Sequence, residues 1–363
     1  MEMRKKFDEI FEDCTKLGTK IKTDEYHSNG KHPIIDQGQE MVAGFTDLED
    51  GLLDAVPAIV FGDHTRIIKY VDCPFFLGAD GVKVLRSKVP NANYRYLYYA
   101  LKNAKIPNTG YNRHYKWLKE LKIEYPPIDQ QVKTVKVLDK VESIIYNRQN
   151  QLQKLDELVK ARFVEMFGGI HDSSLYPYVP VKELTHVISG GTPSRDVLEY
   201  WCDGTIPWVK TTELQNKIIT EVDEHITSKG LAASSAKIVP PNTTLIAMYG
   251  QGKTRGMTGY LGISASTNQA CACILPSPEI NSVYIWKYFE LSYDKLRNMA
   301  KGGNQPNLNG NMIKNFPVLV PPIKRQEEYV QFVNQVDKSK VAVQKSLDEA
   351  QLLFDSLMQQ YFG

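Results

Sequence analysis

The chain repeats itself. Pro126-Pro127-Ile128 and Gln131 recur 195 positions later as Pro321-Pro322-Ile323 and Gln326. The same offset, without a gap, pairs Asn112 with Asn307, Lys119 with Lys314, Val135 with Val330, Val141 with Val336, Leu152 with Leu347 and Leu158 with Leu353. It ends by pairing Phe167-Gly168 with Phe362-Gly363. Upstream the offset is 189, pairing Thr65-Arg66 with Thr254-Arg255 and Tyr99 with Tyr288. A duplication constrains architecture more than any local motif, because both copies must be served by one fold. Each copy reads as one irregular head followed by one long helix. Six extra residues in the second copy, near Gly302-Gly303-Asn304-Gln305, account for the change of offset.

The helices follow from spacing. Neither Pro nor Gly occurs from 129 to 167, after a Pro-Pro pair that suits the approach to a helix and cannot sit inside one. Alternating steps of three and four trace Leu138, Val141, Ile145, Arg148, Leu152, Leu155, Val159, Arg162 and Met166. The second copy gives Val333, Val336, Lys340, Val343, Leu347, Ala350, Phe354, Leu357 and Tyr361. A seam sustained over four heptads predicts that the two helices pair as a coiled coil; the alternative is two amphipathic helices, each packed on its own head. The charged interruptions fall at different heptads in the two copies, which suits a pairing that must find one register. Packed antiparallel, helices of about 55 Å would hold the heads at opposite ends of a rod with pseudo-two-fold symmetry.

The predicted segments are a first head over 1–128, a first helix over 129–169, a second head over 170–323 and a second helix over 324–363. Both heads read as mixed and strand-rich. Ala58-Ile-Val-Phe61 and Thr244-Leu-Ile-Ala-Met248 are apolar runs with β-branched residues that end at glycine-containing turns, the pattern of a buried strand delivering a polar loop. The loops delivered are Gly62-Asp-His-Thr-Arg66 and Gly250-Gln-Gly-Lys-Thr-Arg255. Such loops either approach a phosphate or base edge or serve as turns that bond their own backbone; the more basic second loop favours the first reading and Gly62–Arg66 the second. The fold class is α+β.

Net charge is only +2, but its distribution is uneven. From Arg86 to Lys122 nine bases face one acid, Glu120, with Tyr94, Tyr96, Tyr98, Tyr99, Tyr111, Tyr115 and Trp117 interleaved. From His225 to Pro278 there are four bases and no acid. Basic surface with aromatics is what a phosphate-tracking face needs, although a charge run also serves as a solvated face.

Several chemistries are disfavoured. The five cysteines include no Cys-x-x-Cys spacing, so neither a zinc site nor a disulfide framework is expected. Gly252-Lys253-Thr254 resembles the end of a P-loop, but Ala247 stands where that motif needs its first glycine. His64 and His114 have no nucleophile or ligand partner at close spacing and read as hydrogen-bonding or DNA-facing residues. No apolar run approaches the roughly 18 residues of a membrane span and no leader is evident, so a soluble cytoplasmic protein is expected.

In their order, these features resemble the specificity subunit of Type I restriction-modification systems over the whole chain. The resemblance rests on Phe61-Gly-Asp-His-Thr65, Ala79-Asp-Gly-Val-Lys-Val-Leu85, Trp208-Val-Lys-Thr-Thr212, Thr267-Asn-Gln-Ala270, Asn304-Gln-Pro-Asn-Leu-Asn309 and Lys314-Asn-Phe-Pro-Val-Leu-Val-Pro-Pro-Ile323. It implies that each head is a target-recognition domain reading half of a bipartite, asymmetric double-stranded DNA site, and that the helices set the unread spacer. It also implies that two modification subunits dock on the helices and that restriction subunits join them. S-adenosylmethionine, ATP and Mg would then belong to those partners, with no cofactor, metal or catalytic residue in this chain and no membrane contact. The expected DNA contacts are Arg66, Arg113, His114 and Lys116 in the first head and Lys210, Thr211, Thr212, Gln251, Lys253 and Arg255 in the second. The expected seam and partner interface comprises Leu138, Val141, Ile145, Leu152, Leu155, Val159, Val333, Val336, Val343, Leu347, Phe354 and Leu357. A coiled-coil scaffold without DNA readout is the competing class; a stand-alone nuclease or methyltransferase lacks its motifs.

Overall fold

The computed structural model describes residues 4–78, 80–110, 112–300 and 307–363. Ala79, Tyr111, the Asn304–Pro306 part of one family stretch and the insertion near Gly302 lie outside the described residues. The chain forms two compact units, Met1–Asn150 with Gln344–Gly363, and Gln151–Val343. These divisions cross the four sequence segments, because each unit takes one head together with part of both long helices.

The first unit runs β1 (Arg4–Lys6), α1 (Phe7–Ile10), β2 (Phe11–Asp13), β3 (His32–Ile35), β4 (Gly44–Thr46), β5 (Ala58–Gly62), β6 (Ile68–Val71), β7 (Phe76–Leu77), β8 (Val82–Ser87), α2 (Tyr94–Lys102), α3 (Tyr115–Lys119) and β9 (Lys122–Glu124) into α4 (Ile128–Phe167). Its sheets have the orders β2-β8-β5-β6, β4-β3-β7 and β1-β9. The second unit runs β10 (Tyr178–Pro180), α5 (Val181–Leu184), β11 (Val187–Ser189), β12 (Ile206–Val209), β13 (Lys217–Ile219), β14 (His225–Ile226), α6 (Ser228–Ala232), β15 (Thr244–Ala247), β16 (Thr258–Leu261), β17 (Ser266–Thr267), β18 (Cys271–Ile274), α7 (Ser282–Leu291), α8 (Tyr293–Met299), α9 (Gly310–Lys314) and β19 (Pro317–Leu319) into α10 (Ile323–Phe362). Its orders are β11-β18-β15-β16-β13, β14-β12-β17 and β10-β19.

The topologies superpose as the repeat requires. In each head a parallel pair, β3 with β7 or β12 with β17, sits beside a sheet whose central strands are antiparallel. The second head adds β13, parallel to β16. Strands β5 and β15 read as continuous apolar runs because both faces are covered. Ile59 and Phe61 join the core beneath α2, and Ala58 and Val60 turn to the opposite core. Ile246 faces the core with α7 while Leu245 and Ala247 face the other way.

The helix entries repeat one hydrogen bond. Buried Gln131 donates Nε2 to the carbonyl of Pro126 at 2.8 Å, and buried Gln326 does the same to Pro321 at 2.7 Å. Each glutamine thus satisfies a carbonyl that the following Pro leaves outside the helical ladder.

The long helices pair antiparallel. In the first unit Leu138 and Val141 share a core with Phe354 and Met358. In the second, Val159, Phe163 and Phe167 share one with Tyr329, Val330, Val333 and Val336, and Lys340 pairs with Asp156 at 2.5 Å. As numbers rise along α4 their partners fall along α10. No position of either seam, including Arg148, Arg162 and Lys340, is exposed. Close to the heads the buried face widens to take in Phe163, Phe167 and Tyr329, because there each helix packs on a head as well as on its partner.

Candidate nucleic-acid interface

The β15–β16 connection in the second head is built to present side chains. Gly252 has φ +58° with open space above it, and Gly250 has φ +140°, conformations that favour glycine. The loop backbone is then pinned from α8. Tyr293 donates its hydroxyl to the Lys253 carbonyl at 2.7 Å, and Arg297 donates to the carbonyls of Gly252 at 2.8 Å and Arg255 at 3.1 Å. Gln251 and Lys253 are left exposed on a fixed backbone, with Arg255 half-buried.

Three further loops meet it. Met248 N–H donates to Ala270 O at 2.8 Å, joining the β15 end to the Thr267-Asn-Gln-Ala270 turn. Gly191 N–H donates to Thr267 O at 2.9 Å, and Asn268 N–H donates to Val209 O at 3.0 Å, drawing in residues 190–195 and 210–213. A Cβ on Gly190 would lie 2.2 Å from Thr267 O, so glycine there permits the approach. Thr192 donates its hydroxyl to the exposed Gln269 amide oxygen. Arg195 lies over Trp201, 3.7 Å from the ring centroid, and pairs with Glu224.

One of the expected contacts needs correction and another is already paired within the head. Lys210 is the paired one: its ammonium lies 3.0 Å from Glu224 and 3.3 Å from Asp223, and the hydrogen bond to Glu224 leads in raising its pKa. Its neighbour Thr212 is exposed and Thr211 half-buried. His114 does not face outward, being 0 % exposed. Its Nδ1 lies 2.9 Å from the Asp63 carbonyl and its Nε2 receives the Thr109 N–H at 3.4 Å, so the imidazole is a bracket between two loops.

The equivalent first-head loop, Gly62 to Ile67, is knotted into the fold. Asp63 is buried, accepts the Tyr115 N–H at 2.7 Å, and donates its own N–H to Gly81 O at 2.6 Å. The Gln37 side chain accepts His64 N–H at 3.2 Å and donates to Asp80 O at 3.0 Å, while its carbonyl accepts the Thr65 hydroxyl at 2.7 Å. Arg66, at φ +63°, donates to the Ile106 carbonyl at 3.3 Å. Arg113 and Lys116 remain exposed at the edge of this knot, Lys116 5.0 Å over the Trp117 ring. Asp80 bonds Lys20, which holds its carboxyl below the usual range with help from Arg113.

The two heads therefore present equivalent loop clusters with different exposed chemistry. Gln37 and Gln269, which organise these clusters, were absent from the expected contacts. The Thr267-Asn-Gln turn carried a signal for the second, whereas Gln37 had none outside its pairing. Among the described residues no group of three or more His, Cys, Asp or Glu is placed to hold a metal ion, and no helix is long and apolar enough to cross a membrane.

Comparison with known proteins gives one consistent picture. The family described as Type I restriction modification DNA specificity domain matches residues 3–157 and again 175–350. The specificity subunit of a Type I restriction enzyme of Escherichia coli is 22% identical over 336 residues, covering 87% of this chain and 82% of that one. The crystal structure of the S subunit of a Type-I restriction-modification system from M. genitalium aligns with TM-score 0.60 and 16% identity over 99% of this chain and 96% of the other. A chain from a structural study of complex assembly and conformational transition of the type I R-M system aligns with TM-score 0.53 and 16% identity, covering 96% and 92%.

Proposed function

The chain belongs to the family of Type I restriction modification DNA specificity domains, whose match recurs on both halves of the repeat, and on that premise we propose that each head reads one half of a bipartite, asymmetric DNA site. The observation that carries the proposal is the pair of equivalent loop clusters with unlike exposed side chains. The second head offers Thr212, Gln251 and Lys253 with Arg255 half-buried beside them, and the first offers Arg113 and Lys116 with Arg66 behind them. Amide and guanidinium groups suit adenine and guanine edges, and ammonium groups suit phosphates. Unlike readers imply unlike half-sites.

In this reading the chain is a recognition subunit without catalysis of its own, and S-adenosylmethionine, ATP and Mg belong to the modification and restriction subunits. The helices dock two modification subunits. Exposed apolar residues recur at the 195 offset, with Ile128 matched by Ile323, Tyr146 by Val341 and Leu158 by Leu353. Apolar residues exposed at equivalent positions of both helices suit two copies of one partner.

The deciding experiment is co-expression with a modification subunit, followed by mapping of methylated adenines in the host genome. A bipartite asymmetric motif that vanishes on deletion of this chain supports the reading. A palindromic motif, or methylation indifferent to the deletion, sinks it; negligible and salt-insensitive DNA binding by the assembled complex would indicate a scaffold.

A further inference from the structure

In each unit a basic side chain from the head's own helix reaches the same repeat position of a long helix. In the first, Arg95 of α2 donates to Asp139 of α4 at 2.5 Å and 3.0 Å and to Glu142 at 2.9 Å. The buried Tyr99 adds its hydroxyl, 2.7 Å from Asp139 and 3.0 Å from Glu142, and Lys102 pairs with Glu142 at 3.0 Å. The guanidinium also lies over the rings of Tyr70, Tyr98 and Tyr99.

In the second unit Lys287 of α7, its side chain only 4% exposed, pairs with Glu290 at 2.9 Å and lies 3.8 Å from Asp337 of α10. Asp337 in turn meets Lys340 at 3.5 Å, which pairs with Asp156. Glu142 and Asp337 are related by the 195 offset. Arg95 and Lys287 are not related by 189, since Tyr284 occupies the position equivalent to Arg95. The copies have thus diverged in where the base originates, yet each keeps an acid at one helix position with a base of its head directed at it.

The apolar packing of α2 and α7 already attaches each head to its helix. Hydrophobic contact is non-directional and tolerates small rotations. Directed ion pairs do not, because turning a head pulls the Arg95 guanidinium from Asp139 and Glu142, or the Lys287 ammonium from Asp337, leaving Lys287 with Glu290 of its own helix. One base pair of DNA corresponds to about 3.4 Å of rise and about 35° of twist.

We propose that these two ionic clamps are positioning devices that fix the angle of each head on its long helix, and so hold the two half-site readers to one spacer length. This rests on the bipartite reading above. Arg95, Tyr99, Glu142, Lys287 and Asp337 touch no base; they act through the heads they hold.

The test is the adenine methylome of cells co-expressing the modification subunit with wild-type chain, Arg95→Met, Lys287→Met or Arg95→Lys. Both Met variants are expected to raise, at least tenfold, the share of methylated sites whose spacer is one base pair longer or shorter, with the bases of both half-sites unchanged. Arg95→Lys, which keeps the charge, should return the motif towards a single spacer. If a Met variant gives no methylation because it fails to fold, Tyr99→Phe, which removes one hydroxyl, decides by the same readout. Variants confined to the wild-type spacer, even with lowered melting temperature, overturn the inference and leave a structural clamp only. A wild-type chain that yields no bipartite motif overturns the functional reading, and the inference with it.

Discussion

Lys253 stands exposed on a backbone that Tyr293 and Arg297 hold through the Lys253 and Gly252 carbonyls. His114, equally tempting as a polar residue in a basic stretch, is consumed by the fold at both nitrogens. Gln251→Ala, on the same loop as Lys253, is expected to weaken recognition of the second half-site alone, by about 1–3 kcal/mol. Methylation of sites altered in one half or the other measures this, and equal loss for both halves would refute the assignment. His171 makes a separate prediction. Burial, followed by the charge of Lys295, depresses its pKa from 6.5 to about 4, and its ring meets the edges of Tyr288 and Phe316. The folded state therefore resists protonation more than the unfolded chain does. Stability contributed by neutral His171 is complete above about pH 6.5 and is lost as pH falls towards 4. Thermal melts of His171→Phe should show a shallower decline across that window than wild type, and parallel curves would remove His171 as the cause.

At the scale of elements, the long helices show how little a heptad seam specifies by itself. Spacing located the seam, and no position along it is exposed. It did not reveal Phe163, Phe167 and Tyr329, which are fully buried because a head covers a second face of the helix there. Leu138 is fully buried between the first head and α10. Leu138→Ala should destabilise the chain by about 2–5 kcal/mol. Chemical denaturation reads this directly, and a change below about 1 kcal/mol would mean that the site collapses around the cavity. The strands were legible for a simpler reason: β5 and β15 are central, and a strand covered on both faces appears as an uninterrupted apolar run.

At the scale of the molecule, duplication creates two of everything: two heads, two helix entries capped by Gln131 and Gln326, and two sets of exposed apolar residues on the helices. Tyr146→Asp and Val341→Asp place a charge at equivalent exposed positions. Each is expected to reduce the assembly from two modification subunits to one, as native mass spectrometry of the co-expressed complex would count. Retention of two subunits by both variants would move the docking surface elsewhere. Exchanging the second head for that of another family member should change one half of the methylation motif and leave the other intact.

The amino-acid sequence by itself determined the repeat, the helices, their seam and the central strands, because each is written as a period along the chain and needs no knowledge of what lies opposite. It also carried the family, through the order of several weak motifs. Only the tertiary structure decided which polar residues face outward. Arg66, His114 and Lys210 read like Arg113, Lys116 and Lys253, yet the former meet a carbonyl, a bracket of loops and a pair of acids. Those partners lie 40, 51 and 14 positions away respectively, and a hydrogen bond closed across such a distance leaves no local pattern in the chain.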